Sequence, residues 1–206
     1  MTEEQKFFLE NVKIIMSPQE KDLYVVHITN YLNNIKVKNQ KLYKPNHLKQ
    51  GDYSFVILGK DYRDEFLIER KFGLAEVYPC VIAPNIMTKK KEELSEEELR
   101  NNLEYELARM CDIGVKEKWL FIENCKSFES IKNWKSGYEK RSINAGKTIY
   151  TTLNSWATAN RYNFKIECLA DKKDFAPIMI VKMFYYFRND MKNVYGNNWL
   201  NKVKKM

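Results

Sequence analysis

The sequence predicts an α/β protein of one domain, with a mixed central β-sheet flanked by helices. Short apolar stretches with strand character alternate along the chain with segments whose apolar residues recur at helical spacing. Hydrophobic residues make up 44% of the 206 residues, which is enough to bury the core of one domain. No internal repeat divides the sequence into equivalent parts.

Four elements are predicted before residue 50. The second helix begins with the residues that helix starts prefer, with Ser17 as N-cap, Pro18 at the first helical position and Glu20 as an acid in the first turn. In chain order, the four elements are a short helix at 3–10, a buried strand at 12–16, the helix just described as far as about residue 33, and an exposed strand at 35–44.

A β-hairpin about residues 59–62 is the most informative feature of the chain. Its two apolar strands bring Asp52 opposite Glu69 in the predicted register. Because side chains alternate along a strand, Glu69 and Lys71 share one face while Arg70 points to the other. Two carboxylates and one ammonium group are therefore expected to converge at one end of the hairpin.

This combination of charges suits a metal-assisted reaction on a phosphodiester. Mg²⁺ prefers carboxylate oxygens, water and substrate phosphate oxygens, and Asp52 and Glu69 are the candidate carboxylates. The ammonium group of Lys71 is placed to orient a water molecule or to offset developing negative charge. The alternative is an ordinary hairpin whose charged end is solvated.

The second half of the chain predicts further alternation of helices and strands. A helix begins just after Lys71, within residues 72–84, and a Lys-rich loop follows at 86–94. The next helix begins at Ser95, ends near Gly114, and carries Glu106, which is either a solvated acid or a residue that reaches the hairpin. The later elements are a strand at 118–124, a short helix at 128–134, a helix at 148–162, a strand at 163–168, a helix at 173–192 and a frayed basic tail.

The charge balance favours a nucleic-acid partner. The formal net charge is +8, from 35 Lys and Arg against 27 Asp and Glu. The cluster Lys89, Lys90 and Lys91 is either a DNA contact or a solvated surface. The four cysteines lack the spacing of a zinc site and are expected to be reduced. With no signal-peptide pattern and no apolar run of about 20 residues, we expect a soluble intracellular protein without a membrane partner.

The hairpin residues also carry a family resemblance. Gly51-Asp52 followed by Glu69-Arg70-Lys71 resembles the GD…ERKxxxD signature of the XPF-type branch of the PD-(D/E)xK nucleases. Residues 48–54 (LKQGDYS), 121–124 (FIEN) and the Arg161-Tyr162 end of the segment 148–162 resemble small phage-encoded members. The likeness covers about residues 10–190.

This resemblance implies a restriction-endonuclease-like nuclease domain at residues 1–192, followed by a basic C-terminal tail at 193–206. It implies a metal-dependent DNA endonuclease that serves DNA recombination, replication or repair of a phage or mobile element. Selectivity for particular DNA structures is a further expectation. Such a protein would work in the host cytoplasm, and a homodimer is a further expectation. The implied metal ligands for Mg²⁺ or Mn²⁺ are Asp52, Glu69 and the carbonyl of Arg70. The other implied site residues are Lys71, Glu20 and Glu76 for catalysis, and Arg70, Arg161, Lys89, Lys90 and Lys91 for nucleic-acid contact.

Two departures from the family pattern leave a second function open. The family has Asp where this chain has Ser17, and again where it has Ala75. Glu20 matches the family in the first region, and Glu76 follows the second departure. The alternative is therefore a catalytically inert protein of the same fold that binds nucleic acid or a protein partner.

Overall fold

The computed structural model confirms the α/β class and the mixed sheet. It describes residues 1–20, 22–36, 48–82, 102–136, 144–158 and 160–205. Six strands form the sheet in the order β1-β2-β4-β5-β6, and the short β3 pairs with β2. The sheet is mixed because β1 and β2 are antiparallel, whereas β5 and β6 are parallel.

The strands are β1 Val12–Met16, β2 Tyr53–Ile57, β3 Lys60–Asp61, β4 Phe66–Lys71, β5 Glu117–Glu123 and β6 Lys165–Leu169. The α-helices within the described residues are α1 Glu3–Asn11, α2 Asp22–Asn34, α3 Leu74–Ile82, α4 Leu103–Asp112, α5 Ala145–Trp156, α6 Phe175–Tyr195 and α7 Trp199–Val203. Short 3₁₀ turns lie at Glu129–Asn133 and Lys172–Asp174.

The chain forms two compact units, and the first comprises residues 1–48, 53–66 and 173–206. Its core is aromatic: Phe8 lies 6.0 Å from Phe55 and 5.6 Å from Phe187, measured between ring centroids. Burial of large aromatic rings supplies most of the stabilisation of such a core. Helix α6 packs against α1, α2 and α7 within this unit.

The second unit comprises residues 49–52 and 67–172, and it contains β5, β6 and helices α3 to α5. Helix α3 packs against α4 and α5, and α5 packs against the 3₁₀ turn at Glu129–Asn133. Gly146 permits this last contact, because a Cβ atom there would lie 2.7 Å from the carbonyl oxygen of Trp134. Only a residue without a side chain fits so close to neighbouring backbone.

Helix boundaries differ from the sequence prediction at several places. Helix α4, predicted to start at Ser95, begins at Leu103 with the extended residue Asn102 as its N-cap. Helix α2 begins at Asp22, and Ser17 instead closes a turn in which its carbonyl accepts the amide of Glu20 at 3.1 Å. Helix α5 ends at Trp156, and the chain then turns so that the amide of Tyr162 donates to the carbonyl of Trp156. Local hydrogen bonds of this kind compete with helix continuation.

The segment predicted to fray after residue 195 contains helix α7, and its anchor is Trp199. The Trp199 side chain is fully buried, lies 5.5 Å from Phe187 and donates its indole N–H to Glu4 at 2.9 Å. A buried Trp with a satisfied N–H is a strong packing contact, so this segment is ordered by tertiary contacts rather than by helix propensity.

Several predictions concern residues outside the described ranges. These are residues 37–44 of the strand predicted at 35–44, the Lys-rich loop at 86–94 and the helix start at Ser95. Residues 35 and 36 form a turn at the end of α2, where the amide of Ile35 donates to the carbonyl of Tyr31, so the predicted strand does not begin there. Among the described residues, no helix combines the length and the apolar character needed to cross a bilayer.

Candidate active site

The end of the predicted hairpin is present, but its register differs by one residue from the prediction. The amide of Asp52 donates to the carbonyl of Ile68 at 2.7 Å, so Asp52 pairs with Ile68 and not with Glu69. One carboxylate oxygen of Asp52 accepts the amide of Arg70 at 2.8 Å. The carboxylate of Asp52 therefore lies against the backbone between Glu69 and Lys71.

Gly51 allows the backbone just before Asp52 to approach Ile68 closely. Its φ of +72° lies in the left-handed region, and a Cβ atom there would sit 3.2 Å from the carbonyl oxygen of Ile68. Glycine adopts this conformation without the steric cost that other residues incur. The backbone can consequently lie close to β4 just before β2 begins, with the carboxylate of Asp52 beside the Arg70 amide.

A buried cluster of two acids and one lysine forms the centre of the site. The Nζ atom of Lys71 lies 2.7 Å from Oε1 of Glu69 and 3.4 Å from Oε2 of Glu106. Glu69 and Lys71 are 5% and 8% exposed. The structure thus places Glu106, for which the sequence left two roles open, beside the hairpin and not in bulk solvent.

Helix α4 supplies Glu106 from its first turn. Asn102 caps this helix by accepting the amide of Tyr105 at 3.2 Å, which satisfies one of the amides that a helix start leaves open. Leu103, Leu107 and Met110 are buried along the same helix. Since these apolar residues fix the rotation of α4, the position of Glu106 is set by packing.

The cluster has strongly altered proton affinities. Burial and the charge of Glu69 raise the pKa of Glu106 to about 8, against the opposing effect of Lys71. Burial tends to lower the pKa of Lys71, but the charges of Glu69 and Glu106 raise it overall. Burial likewise raises the pKa of the Cys80 thiol on α3, although Lys71 pulls it down. At neutral pH the cluster therefore holds a lysine cation and a glutamic acid that retains its proton.

Arg70 points to the opposite face of β4, as strand alternation predicts. Its guanidinium forms an ion pair with Glu123, with 3.7 Å between Nη1 and Oε1. Arg70 is 8% exposed and Glu123 is fully buried. This burial favours a structural role for the Arg70 side chain over a contact with DNA phosphate.

The two additional acids, Glu20 and Glu76, each have a structural contact. Glu20 belongs to the first unit, where the hydroxyl of Tyr53 donates to its carboxylate. Glu76 lies in the first turn of α3 in the second unit, where its carboxylate accepts the amide of Phe72 at 2.6 Å. An acid in the first turn also interacts favourably with the helix dipole.

Arg161, predicted to contact nucleic acid, forms an ion pair with Glu104. The hydroxyl of Tyr162 donates to the same carboxylate at 2.8 Å, and the Arg161 guanidinium lies 5.7 Å from the ring centre of Trp156. Arg161 is therefore held by groups of its own unit. The cluster Lys89, Lys90 and Lys91 lies outside the described residues.

Two partners in these contacts were missed by the sequence reasoning. Glu104 was overlooked because it shares a helix with Glu106, and Glu123 because it ends an apolar strand. For Glu123 a signal was available in principle, because it is an acid at the end of an apolar strand, and a buried acid needs a charged or hydrogen-bonding partner.

The donor set at the cluster suits a hard divalent cation, because carboxylate oxygens are the ligands that Mg²⁺ and Mn²⁺ prefer. Glu69 brings a buried carboxylate to this place, and Asp52 lies at the neighbouring backbone of Arg70, whose amide it accepts. Within the described ranges, no group of three or more His, Cys, Asp or Glu side chains is arranged to hold a metal ion. The fit therefore concerns a site with few protein ligands, completed by water and substrate.

Fold and site together define an α/β protein with a buried acid–lysine–acid cluster at the end of a sheet strand. No family model matches the chain, and no curated protein sequence matches it. Its backbone is similar to that of XPF from Aeropyrum pernix in complex with DNA, at 12% identity and a TM-score of 0.47, over 86% of this chain and 66% of that chain. A second structure of XPF from Aeropyrum pernix is 11% identical, with a TM-score of 0.46, over 85% of this chain and 65% of the other. This chain thus spans just under two thirds of the length of those chains, and the similarity assigns no residue role or activity to it.

Proposed function

We propose that this protein is a metal-dependent endonuclease that cuts phosphodiester bonds in DNA. The observation that carries the proposal is the buried contact of Lys71 with Glu69 and Glu106, at 2.7 Å and 3.4 Å. Asp52, Glu69 and the carbonyl of Arg70 are the proposed ligands of Mg²⁺ or Mn²⁺. When bound, the cation supplies a Lewis acid that polarises the phosphate and acidifies a bound water.

Lys71 acts in this proposal as a fixed cation and hydrogen-bond donor. Its pKa is raised by its acidic neighbours, so it keeps its proton at neutral pH and is unsuited to act as a general base. A donor of this kind orients the attacking water or stabilises negative charge that develops on the phosphate. Glu106, with a pKa of about 8, is suited to exchange a proton near neutral pH.

The net charge of +8 supports a nucleic-acid substrate, since basic proteins attract the phosphate backbone electrostatically. DNA as the substrate, the phage setting, the host cytoplasm, the domain boundary at residue 192 and a homodimer stay predictions from the sequence. Arg161 and the Lys89–Lys91 cluster stay proposed DNA contacts, and Glu20 and Glu76 stay proposed secondary catalytic acids.

A second candidate function is a catalytically inert protein that binds nucleic acid through the same fold. It is favoured by the engagement of Glu76 with the amide of Phe72 at 2.6 Å and of Glu20 with Tyr53. Both acids have structural partners, which under this second function would keep them from replacing the Asp residues that Ser17 and Ala75 substitute in the family pattern. An inert binder would retain salt-sensitive DNA binding without turnover.

The decisive experiment is cleavage of labelled duplex, single-stranded, flap, fork and four-way-junction DNA with Mg²⁺ or Mn²⁺. We expect Asp52→Ala and Lys71→Ala to lower cleavage by at least about a hundredfold, because each removes a group proposed to bind or stabilise the reacting phosphate. Lys126→Ala removes an exposed lysine of the second unit and is expected to keep wild-type cleavage.

Two outcomes would separate the candidate functions. Cleavage that persists in both Asp52→Ala and Lys71→Ala would refute the assignment of these residues to the active site. Wild-type protein that binds these DNAs but leaves them intact with either metal would favour the inert binder. DNA affinity is measured for every variant by fluorescence anisotropy, so that lost binding is distinguished from lost chemistry.

A further inference from the structure

Two cysteine thiols meet outside the proposed active site. Cys125 and Cys168 are both unbridged, and the Sγ of Cys125 donates to the Sγ of Cys168 at 3.1 Å. Cys125 is 2% exposed, and Cys168 is half-buried. The two remaining cysteines lie on helices, and the thiol of Cys111 donates to the carbonyl of Tyr162 at 3.5 Å.

The backbone brings these sulfur atoms together through a turn at the end of β5. Strands β5 and β6 run parallel, with Ile122 opposite Cys168. An extended chain would carry Cys125 past Cys168, but Asn124 has a φ of +52° and turns the chain back. Asn tolerates this left-handed conformation better than most residues. The backbone amide of Cys125 then donates to the carbonyl of Leu169 at 3.0 Å. This hydrogen bond fixes the Cys125 thiol beside Cys168.

We propose that Cys125 and Cys168 form a redox-active pair that closes to a disulfide when the protein meets a hydroperoxide. A disulfide needs a sulfur–sulfur distance of about 2.05 Å, so the two Sγ atoms, now 3.1 Å apart, must approach each other by about 1 Å. The turn at Asn124 preorganises both thiols within one unit.

The reaction balances as a two-electron oxidation of the pair. With hydrogen peroxide, one thiolate attacks a peroxide oxygen, the O–O bond breaks, and a sulfenic acid and hydroxide form. The second sulfur then attacks the sulfenic sulfur, the S–S bond forms, and a second hydroxide leaves. The two thiol protons convert both hydroxides to water. The hydrogen bond with Cys168, whose thiol can donate to a Cys125 thiolate, lowers the pKa of Cys125 to about 7, although burial opposes this effect, so a thiolate is accessible near neutral pH.

The pair is also connected to the proposed active site through one hydrogen bond. Asn124, between Glu123 and Cys125, donates its side-chain amide to the carbonyl of Phe72 at 2.8 Å. Phe72 directly follows Lys71. A shift of Cys125 when the disulfide forms would therefore displace Asn124, whose side chain is bonded to the backbone at the end of β4.

Oxidation of the reduced full-length protein with hydrogen peroxide tests the pair directly. Residual thiols are alkylated, and the digest is mapped by mass spectrometry without reduction. We expect the number of reactive thiols to fall from four to two, with a peptide linking Cys125 to Cys168 that dithiothreitol reverses. Cys111→Ser is the matched control and should form the same link, whereas Cys168→Ser should form none.

Two results would overturn the proposal: Cys125 and Cys168 both alkylated after peroxide treatment, or cross-links distributed among all four cysteines. Because the wild-type map decides this by itself, the proposal stays testable if Cys168→Ser fails to fold. The effect on cleavage rests on the proposed function and is measured separately. Oxidation is expected to slow cleavage at least threefold in wild type and not in Cys168→Ser, and an unchanged rate with the link formed would refute only the coupling.

Discussion

Glu106→Gln offers a direct test of the buried cluster that does not depend on catalysis. The pKa of Glu106 is raised from 4.5 to about 8 by burial and by Glu69. Between these two pH values the unfolded carboxyl group has lost its proton while the folded one keeps it. The stability linked to this proton is fully present below pH 4.5 and is lost as pH rises through about 8.

The expected magnitude follows from the same shift. When the folded state binds one proton more than the unfolded state, the free energy of unfolding falls by about 1.4 kcal/mol per pH unit. The interval from pH 4.5 to about 8 therefore corresponds to about 5 kcal/mol. A glutamine at position 106 cannot ionise. The variant should therefore lack this decline, so its stability relative to wild type should rise by about 1.4 kcal/mol per pH unit across the interval.

Urea unfolding in EDTA, at several values between about pH 5.5 and 7.5, measures this difference. EDTA is needed because a divalent cation at Glu69 would displace the proton of Glu106. Glu10→Gln removes the same charge from an exposed position near the N-terminus and should keep the wild-type slope. Parallel pH dependences of wild type and Glu106→Gln would refute the retention of a proton in the cluster.

Three further predictions concern stability and metal binding. Trp199→Ala should lower the free energy of unfolding by about 3–5 kcal/mol in urea titrations, because it removes a fully buried ring and the hydrogen bond to Glu4. Gly146→Ala should lower it by about 1–3 kcal/mol or more, since the added methyl group meets the backbone of Ile131 and Trp134. Mg²⁺ should raise the melting temperature of wild type and not that of Glu69→Ala, because a ligand of the folded state stabilises it by mass action. Equal shifts in both proteins would argue against Glu69 as a metal ligand.

The sequence was sufficient for those parts of the site that depend on local geometry. Strand alternation placed Glu69 and Lys71 on one face of β4 and Arg70 on the other, and the structure shows the first two in contact while Arg70 pairs with Glu123. This result follows from the two-residue period of a strand, which does not depend on the rest of the fold.

The parts that failed depend on backbone exceptions or on distant packing. The hairpin register was wrong because the chain turns at Leu58 and Gly59, both in the left-handed region, and pairs Ile57 with Lys60, whereas the prediction centred the turn on residues 59–62. The prediction of a frayed tail was wrong because Trp199 packs in the aromatic core of the first unit. The position of Glu106 was left open because the sequence does not show how α4 packs beside β4. Such contacts are decided by three-dimensional complementarity and not by local propensity.

The energetic cost of the cluster favours the catalytic function over the inert binder. Burying Glu69, Lys71 and Glu106 requires desolvation of three ionisable groups, and replacing buried ion pairs with apolar residues of similar volume is often neutral or stabilising by about 1–4 kcal/mol. We therefore expect the triple variant Glu69→Leu, Lys71→Met, Glu106→Leu to be at least as stable as wild type in urea while its cleavage of DNA is lost. Severe destabilisation of this variant would mean that the charges serve the fold itself. The inert binder would then become the better explanation of the same geometry.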